Sequence, residues 1–345
     1  MTRLRIYTSK DFMPEGRSHT VMLYPFWGLP GTERKDPDQG RFAEYITKGK
    51  EFFDMVSEPA QADFFLLPFE FSFDENAMGT ALSFGKLAES YNKKVIVFFN
   101  SDYEEKIPIP NAVVFRTTFF RSKRDANEFA VPGWSLDFIK EIKNADWPRK
   151  KTSTPVVGYC GYVDYIDWKE QLNLRKLFRK FFRRNRVLSM HEKGSGVRGA
   201  AVRNILKDSR IKSNFIIRNG FWAAGMDQQT ARDQYISNMI SSDYGIAARG
   251  AGNYSYRLYE LLSCGKIPVF IDTDCVLPFM DKVDWKKYVL WLDEKEVGSI
   301  AEKIISFHNS LSEAEFEQRQ LDCRKFYDEY ISPVAFFSNM HKCLQ

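Results

Sequence analysis

The sequence predicts an α/β protein made of two parallel-sheet halves in tandem. Three observations carry that prediction. Short apolar runs alternate with helix-period stretches along the chain, the alternation that builds parallel sheets. The alternation is interrupted once, by a proline-containing basic junction, and then restarts. Finally, 345 residues, 44% hydrophobic and 28% charged, suffice for two cores at about 100–200 residues per domain. The same composition excludes a disordered chain.

In chain order, strands are expected at Leu4–Thr8, Asp63–Leu67, Val95–Phe99 and Ala112–Phe115, with helices near Arg41–Val56 and Thr80–Tyr91. The junction is read within Lys140–Pro155, where Asp-Trp-Pro-Arg-Lys-Lys-Thr-Ser-Thr-Pro follows a charged helix end. Strands then recur at Val156–Cys160, Asn214–Arg218, Tyr244–Ala248, Ile267–Ile271 and Val289–Leu292. Helices fit Lys169–Arg184, Arg198–Lys207, Gln228–Ile240, Tyr254–Cys264 and Glu294–His308. From Leu311 to Cys343 the pattern is helical, broken at Ser332-Pro333. The expected divisions are therefore residues 1–150, residues 151–320 and a helical tail over 321–345. Ligands of open parallel sheets bind beyond the carboxyl ends of the strands, so chemistry is sought there.

The formal charge of +5 is too mild to point to nucleic acid. Its distribution is uneven: residues 167–218 hold fifteen Lys/Arg against four Asp/Glu, a net +11. The five cysteines are odd in number, with no C-x-x-C spacing, which favours reduced thiols over a disulfide framework or zinc site. The first residues carry no apolar leader pattern and no window reaches the ~20 apolar residues of a membrane span. A cytoplasmic protein is the expectation.

The most informative stretch is Ala248-Arg249-Gly250-Ala251-Gly252-Asn253-Tyr254-Ser255-Tyr256-Arg257-Leu258-Tyr259-Glu260. A strand ends, a glycine turn follows, and a helix opens with Asn253 or Ser255 as its cap. Unpaired N–H groups at such a helix start make an anion site. Arg249 and Arg257 add planar, multi-donor cations suited to phosphate oxygens. Tyr256, Arg257 and Glu260 share a helix face, and a carboxylate there can accept two hydroxyl protons from a ribose. An ordinary Arg257–Glu260 surface pair accounts for the spacing equally well. Further on, Gly265 suits a helix C′ position before a buried strand. Asp272-Thr273-Asp274 then reads as a turn ahead of a metal site.

Arg249, Gly250, Ser255, Arg257, Glu260, Gly265, Ile267, Pro268 and Val269, followed by Asp274, Leu277, Pro278, Phe279, Asp284 and Trp285, resemble the signature of exostosin-like glycosyltransferases (glycosyltransferase family 47). The resemblance extends loosely to Ala62-Asp63-Phe64-Phe65-Leu66-Leu67-Pro68-Phe69 and to Val157-Gly158-Tyr159-Cys160-Gly161. It implies a GT-B fold, two Rossmann-like domains facing across a cleft. It also implies inverting, metal-independent transfer of a sugar from a nucleotide-diphosphate donor, a UDP-sugar, to a glycan hydroxyl. No cofactor is expected beyond that co-substrate. The donor is expected on the second half, at Gly161, Arg218, Arg249, Asn253, Ser255, Tyr256, Arg257 and Glu260. Family members that polymerise heparan sulfate carry a second transferase domain, so polymerase activity is not expected of these 345 residues.

Inversion by single displacement needs a base for the acceptor hydroxyl. Glu70, just past a strand end, and Asp74, in the following loop, are preferred over Asp102, although any one of them is equally an exposed loop carboxylate. The basic segment has three readings: a solvated cationic face, attraction of the anionic donor, or peripheral contact with an anionic membrane. The competing function is a non-catalytic polyanion- or nucleic-acid-binding protein using residues 167–218, although no nucleic-acid partner is expected on the preferred reading.

Overall fold

In the computed structural model the described residues are 3–141, 147–163, 190–218, 220 and 225–344. The helix expected at Lys169–Arg184, and with it most of the basic segment, lies outside them. The chain forms two compact units, each around a parallel sheet.

The sheet of the first unit contains β1 (Leu4–Tyr7), β2 (Phe53–Val56), β3 (Phe64–Leu66), β4 (Lys94–Phe99), β5 (Ala112–Arg116) and β6 (Glu128–Ala130), in the order β2-β1-β3-β4-β5-β6. Alternation sends Ile96 and Phe98 to one face and Val95, Val97 and Phe99 to the other. The second face is covered by α2 (Glu75–Ser90) through Ala77, Ala81, Phe84 and Ala88. On the first, α1 (Ala43–Lys48) contributes Tyr45, and much of the remaining cover comes from the far end of the chain.

The last four residues of the expected helix Arg41–Val56 are a strand. The helix stops near Gly49, where a Cβ would lie 2.4 Å from Pro25 Cγ. Phe53–Val56 then pairs in parallel with Leu4–Tyr7, so tertiary pairing overrides the local helical spacing.

The second sheet contains β7 (Val156–Tyr162), β8 (Lys212–Arg218), β9 (Tyr244–Ala247), β10 (Ile267–Asp272) and β11 (Leu290–Asp293), in the order β11-β10-β9-β7-β8. Its main helices are α3 (Met190–Leu206), α4 (Gln228–Ile240), α5 (Tyr256–Ser263), α6 (Ile300–Ser310) and α7 (Glu313–Phe326). As expected, α5 ends at Gly265, with Lys266 N–H bonded to Leu261 O and Gly265 N–H to Leu262 O. Every strand pairing in both sheets is parallel. The α/β class with two parallel-sheet halves is therefore present as expected.

The boundaries differ from a simple tandem. The first unit comprises Met1–Glu141, Asp274–Trp285 and Lys325–Gln345, and the second Ile142–Thr273 and Lys286–Arg324. The reason is burial. In α8 (Pro333–Asn339), Phe336 and Phe337 join the first unit's core with Ile6, Leu66 and Phe98. Phe337 stacks on Tyr45 at 4.2 Å, and Trp134 Nε1 donates to Ile331 O at 2.9 Å. Phe279 packs 5.4 Å from Phe336, and Trp285 donates to Pro278 O at 2.8 Å while lying edge-on to Phe326. Residues expected to form a separate tail thus complete the first sheet's apolar cover. Among the described residues no helix is long and apolar enough to cross a membrane, and none of the five cysteines is in a disulfide.

Candidate active site

Both sheets reverse their winding at one place. In the first unit β1 lies between β2 and β3; in the second β7 lies between β8 and β9. At such switch points the loops leave in opposite directions and open a crevice at the carboxyl ends of the strands. The candidate residues gather at these two points.

In the second unit β7 ends in Gly161 and Tyr162, and the loop after β9 carries Arg249 and Gly250. Arg257, in the first turn of α5, reaches back to β7, where Nη2 donates to Cys160 O. Its Nε donates to the Tyr235 hydroxyl at 3.2 Å. The guanidinium lies 4.4 Å from the Tyr159 ring centre and 5.2 Å from that of Tyr235. Burial disfavours this cation, but Tyr235, Tyr159 and Glu260 outweigh it and hold Arg257 above the usual arginine range. The Tyr235 hydroxyl donates in turn to Glu260 Oε2. Burial keeps that phenol protonated, so the direction of the bond is fixed.

Two glycines make room for this arrangement. Gly161 has φ +151°, and a Cβ there would stand 3.1 Å from Arg257 Nη2. Gly194, on α3, lies so close to the loop after β9 that a Cβ would sit 2.0 Å from Gly250 O. That contact brings in Arg198, which is 7% exposed, donates from Nε to Tyr162 O at 3.2 Å and also bonds Arg249 O. Burial, with Arg257 nearby, pulls the Arg198 pKa down. Arg198 and Arg257 donate to main-chain carbonyls and a tyrosine hydroxyl, and with the Glu260 carboxylate alongside Arg257 they leave a net positive charge beside β7, which favours a counter-charged ligand.

The other expected donor residues divide by role. Arg249 is 5% exposed and donates to Ala251 O at 3.0 Å, which holds the loop's shape. Asn253 is turned inward, donating to Thr273 O at 3.2 Å and accepting from the Thr273 hydroxyl at 2.7 Å. Ser255 occupies the N-cap of α5, but its hydroxyl makes no capping bond. Tyr256 is 47% exposed. Arg218 ends β8 and donates to Ala231 O at 2.6 Å. Asp274, with φ +63°, accepts from the Ser122 amide and hydroxyl within the first unit.

In the first unit, His19 pairs with Phe69 across the β1/β3 switch point, and Thr20 N–H donates to Pro68 O at 2.9 Å. Glu70 follows directly. It accepts from Asn100 Nδ2 at 2.6 Å. Burial raises its pKa and Glu33 adds to the rise, against the Asn100 bond and Arg41. His19 donates from Nε2 to Gly28 O at 2.7 Å, since a carbonyl can only accept, and burial lowers its pKa. Asp74 differs from Glu70: it is the N-cap of α2, accepting from Ala77 N–H at 3.1 Å and from Ser72 and Arg17. Those bonds, Ser72 first, lower its pKa. A capping carboxylate tied to three donors is a poor proton acceptor.

Sequence reasoning missed Tyr159 and Tyr235, and found Arg198 only as a member of a basic segment. Tyr235 sits in a helix whose periodicity was readable, but its partners lie 22 and 25 residues away, so no local spacing marks it.

Arg198, Arg249 and Arg257 and the N-terminus of α5 thus lie together at the β7/β9 switch point of a parallel α/β unit, the place where such units bind their ligands. A sequence model of the Exostosin GT47 domain matches residues 115–306, more than half of the chain, and the chain belongs to that family. An exostosin-1 homolog of Caenorhabditis elegans is 25% identical over 42% of this chain and 39% of its own length. Probable glucuronosyltransferase 47 A of Physcomitrium patens is 37% identical over 21% of this chain and 16% of its own. The chain thus aligns with less than half the length of these curated relatives. A solved structure described as trehalose-6-phosphate from E. coli bound with UDP-2-fluoro glucose aligns over 99% of this chain and 91% of its own, at 9% identity and a TM-score of 0.40.

Proposed function

We propose that the protein is a glycosyltransferase that moves a sugar from a nucleoside diphosphate donor, a UDP-sugar, to a glycan hydroxyl with inversion and without a metal ion. The observation that carries the reading is the positive charge at the β7/β9 switch point, where half-buried Arg257 and buried Arg198 are fixed beside the start of α5. Names of relatives that transfer glucuronosyl groups support a sugar donor. In the proposed reaction the acceptor oxygen bonds to the anomeric carbon as the bond to the diphosphate breaks. The nucleoside diphosphate departs with the bonding pair, and the hydroxyl proton passes to a carboxylate.

Arg257 and the amides at the N-terminus of α5 offset the charge growing on the departing diphosphate. Ser255, with its uncapped hydroxyl, and the exposed Tyr256 ring border the same end of α5. Glu260 takes the ribose hydroxyls. Glu70 is the proposed base, because it is partly exposed at a strand end and its raised pKa increases its proton affinity. Asp74 is assigned to helix capping.

The test is nucleotide release from a panel of UDP- and GDP-sugars with oligosaccharide acceptors, run with and without EDTA. Release that persists in EDTA and falls at least ~100-fold in Glu70→Gln is the expected result. Loss in EDTA restored by magnesium would remove the metal-free mechanism. No release from any donor, together with steeply salt-dependent nucleic-acid binding, would favour the polyanion-binding alternative.

A further inference from the structure

We propose that Arg116 is a positioning residue for Glu70, acting through the loop that carries Asn100. The proposal rests on the reading of Glu70 as the base. Asn100, the first residue after β4, donates from Nδ2 to Glu70 Oε1 at 2.6 Å. Asn100 is exposed, so the backbone of the loop, and not packing around the amide, decides where that donor stands. The backbone is fixed from β5. Arg116, the last residue of β5, donates from Nη2 to Tyr103 O at 2.9 Å and from Nη1 to Glu105 O at 3.1 Å. Thr117 Oγ1 donates to Ser101 O at 3.1 Å. The guanidinium also lies 5.2 Å from the ring centre of Phe99. Alternate residues from Phe99 to Glu105 are thus held, and Asn100 lies between the first two.

Arg116 is 1% exposed, and its charge is met by Glu128 Oε1 at 2.8 Å. Burying such a pair adds little stability by itself, since apolar side chains of similar volume often serve as well. An apolar side chain could not bond two loop carbonyls, and a lysine would offer one nitrogen where the planar fork uses two. The loop that Arg116 holds therefore accounts for the buried charge. Releasing the loop would withdraw the Asn100 amide from Glu70, and a carboxylate that loses a donor gains proton affinity. Arg41, Glu33 and Tyr24, from the segment between β1 and β2, interact with the Glu70 charge as well, and the variants below leave all three in place.

The experiment is an NMR titration of the full chain carrying isotope-labelled glutamate, with the Glu70 carboxyl signal assigned through Glu70→Gln. Arg116→Met is combined with Glu128→Gln, so that no carboxylate is left buried without its cation, and circular dichroism checks the fold. In this double variant the Glu70 pKa is expected to rise to its value in Asn100→Ala. Adding Asn100→Ala to the double variant should raise it no further. An unchanged pKa overturns the proposal. So does a rise that adds to that of Asn100→Ala, which would show Arg116 acting by its charge and not through Asn100. If the double variant does not fold, Arg116→Lys takes its place. It must raise the Glu70 pKa too, and an unchanged value there overturns the proposal. The acidic limb of kcat/KM separates this from the base reading. A limb that moves with the NMR value supports both, whereas a limb that stays while the NMR value moves removes Glu70 as the base and upholds the link from Arg116 to its carboxyl.

Discussion

Gly161→Ala is the substitution whose consequence the structure specifies most closely. The backbone there has φ +151°, a conformation that costs a residue with a Cβ about 1–3 kcal/mol. The new methyl would meet Arg257 Nη2 at 3.1 Å and the Tyr159 hydroxyl at 3.4 Å. Since the phenol is bonded to Tyr162 O at 2.8 Å, the guanidinium is the group that has to move. Moving it lengthens the bond from Nη2 to Cys160 O, and hydrogen bonds to charged groups contribute about 1.5–3 kcal/mol each. Two separable losses follow. Unfolding free energy falls by about 1–3 kcal/mol, read by denaturant titration. Affinity for UDP falls by about 1–2 kcal/mol, roughly 5- to 30-fold in Kd, read by calorimetry. The route is tested by repeating the substitution in Arg257→Lys, which keeps the charge but not the planar fork. In that background Gly161→Ala should cost stability and little further affinity, a non-additivity characteristic of residues in contact. Equal affinity losses in both backgrounds would show that the effect does not pass through Arg257. An unchanged Kd in Gly161→Ala alone would remove Arg257 from the diphosphate site.

Asn100→Ala deletes a bond that stabilises the Glu70 carboxylate, so the already raised pKa rises further. A base works deprotonated, so the acidic limb of the kcat/KM profile should move to higher pH. An unmoved limb would exclude Glu70 as the base. Phe337→Ala removes a ring stacked on Tyr45 in the first unit's core and should cost about 3–5 kcal/mol of unfolding free energy. UDP affinity, assigned to the second unit, should stay within about twofold of native; a larger loss would tie donor binding to the returning C-terminal segment.

The α/β class and most strands were legible because buried parallel strands are short apolar runs whose type is set locally. Phe53–Val56 was not, since only pairing with Leu4–Tyr7 distinguishes it from the end of the preceding helix. The domain boundaries were hidden for a related reason. Phe336 and Phe337 read as an apolar stripe on a terminal helix, and no local pattern tells which sheet such a stripe covers. Arg257 and Glu260 were readable from their spacing, whereas Tyr235, which binds both, was not. Spacing exposes partners within one helix and conceals those that meet between elements. For Asp74 the missed signal was local: an aspartate three residues before Ala77, at the start of a helix-period run, is a capping pattern.

The resemblance signature itself separates into two physical tasks. Its first part, Arg249 through Glu260, builds the loop and helix start at the β7/β9 switch point. Its second part works in the other unit. Asp274 holds Ser122, Phe279 packs on Phe336, and Trp285 binds Pro278 and Phe326. A run of some forty residues with consistent spacing therefore need not be one site. Here the shared pattern records both the turn at the β7/β9 switch point and the return of the chain into the first unit's core. This division predicts different signatures for substitutions within a single motif. Changes at Arg257 or Glu260 should weaken nucleotide binding and stability together, because both side chains are hydrogen-bonded inside the second unit. Trp285→Phe, which keeps the aromatic ring but loses the bond to Pro278 O, should lower stability by about 0.5–1.5 kcal/mol and leave nucleotide affinity unchanged. A loss of nucleotide affinity in folded Trp285→Phe would show that the second part of the signature also serves the donor.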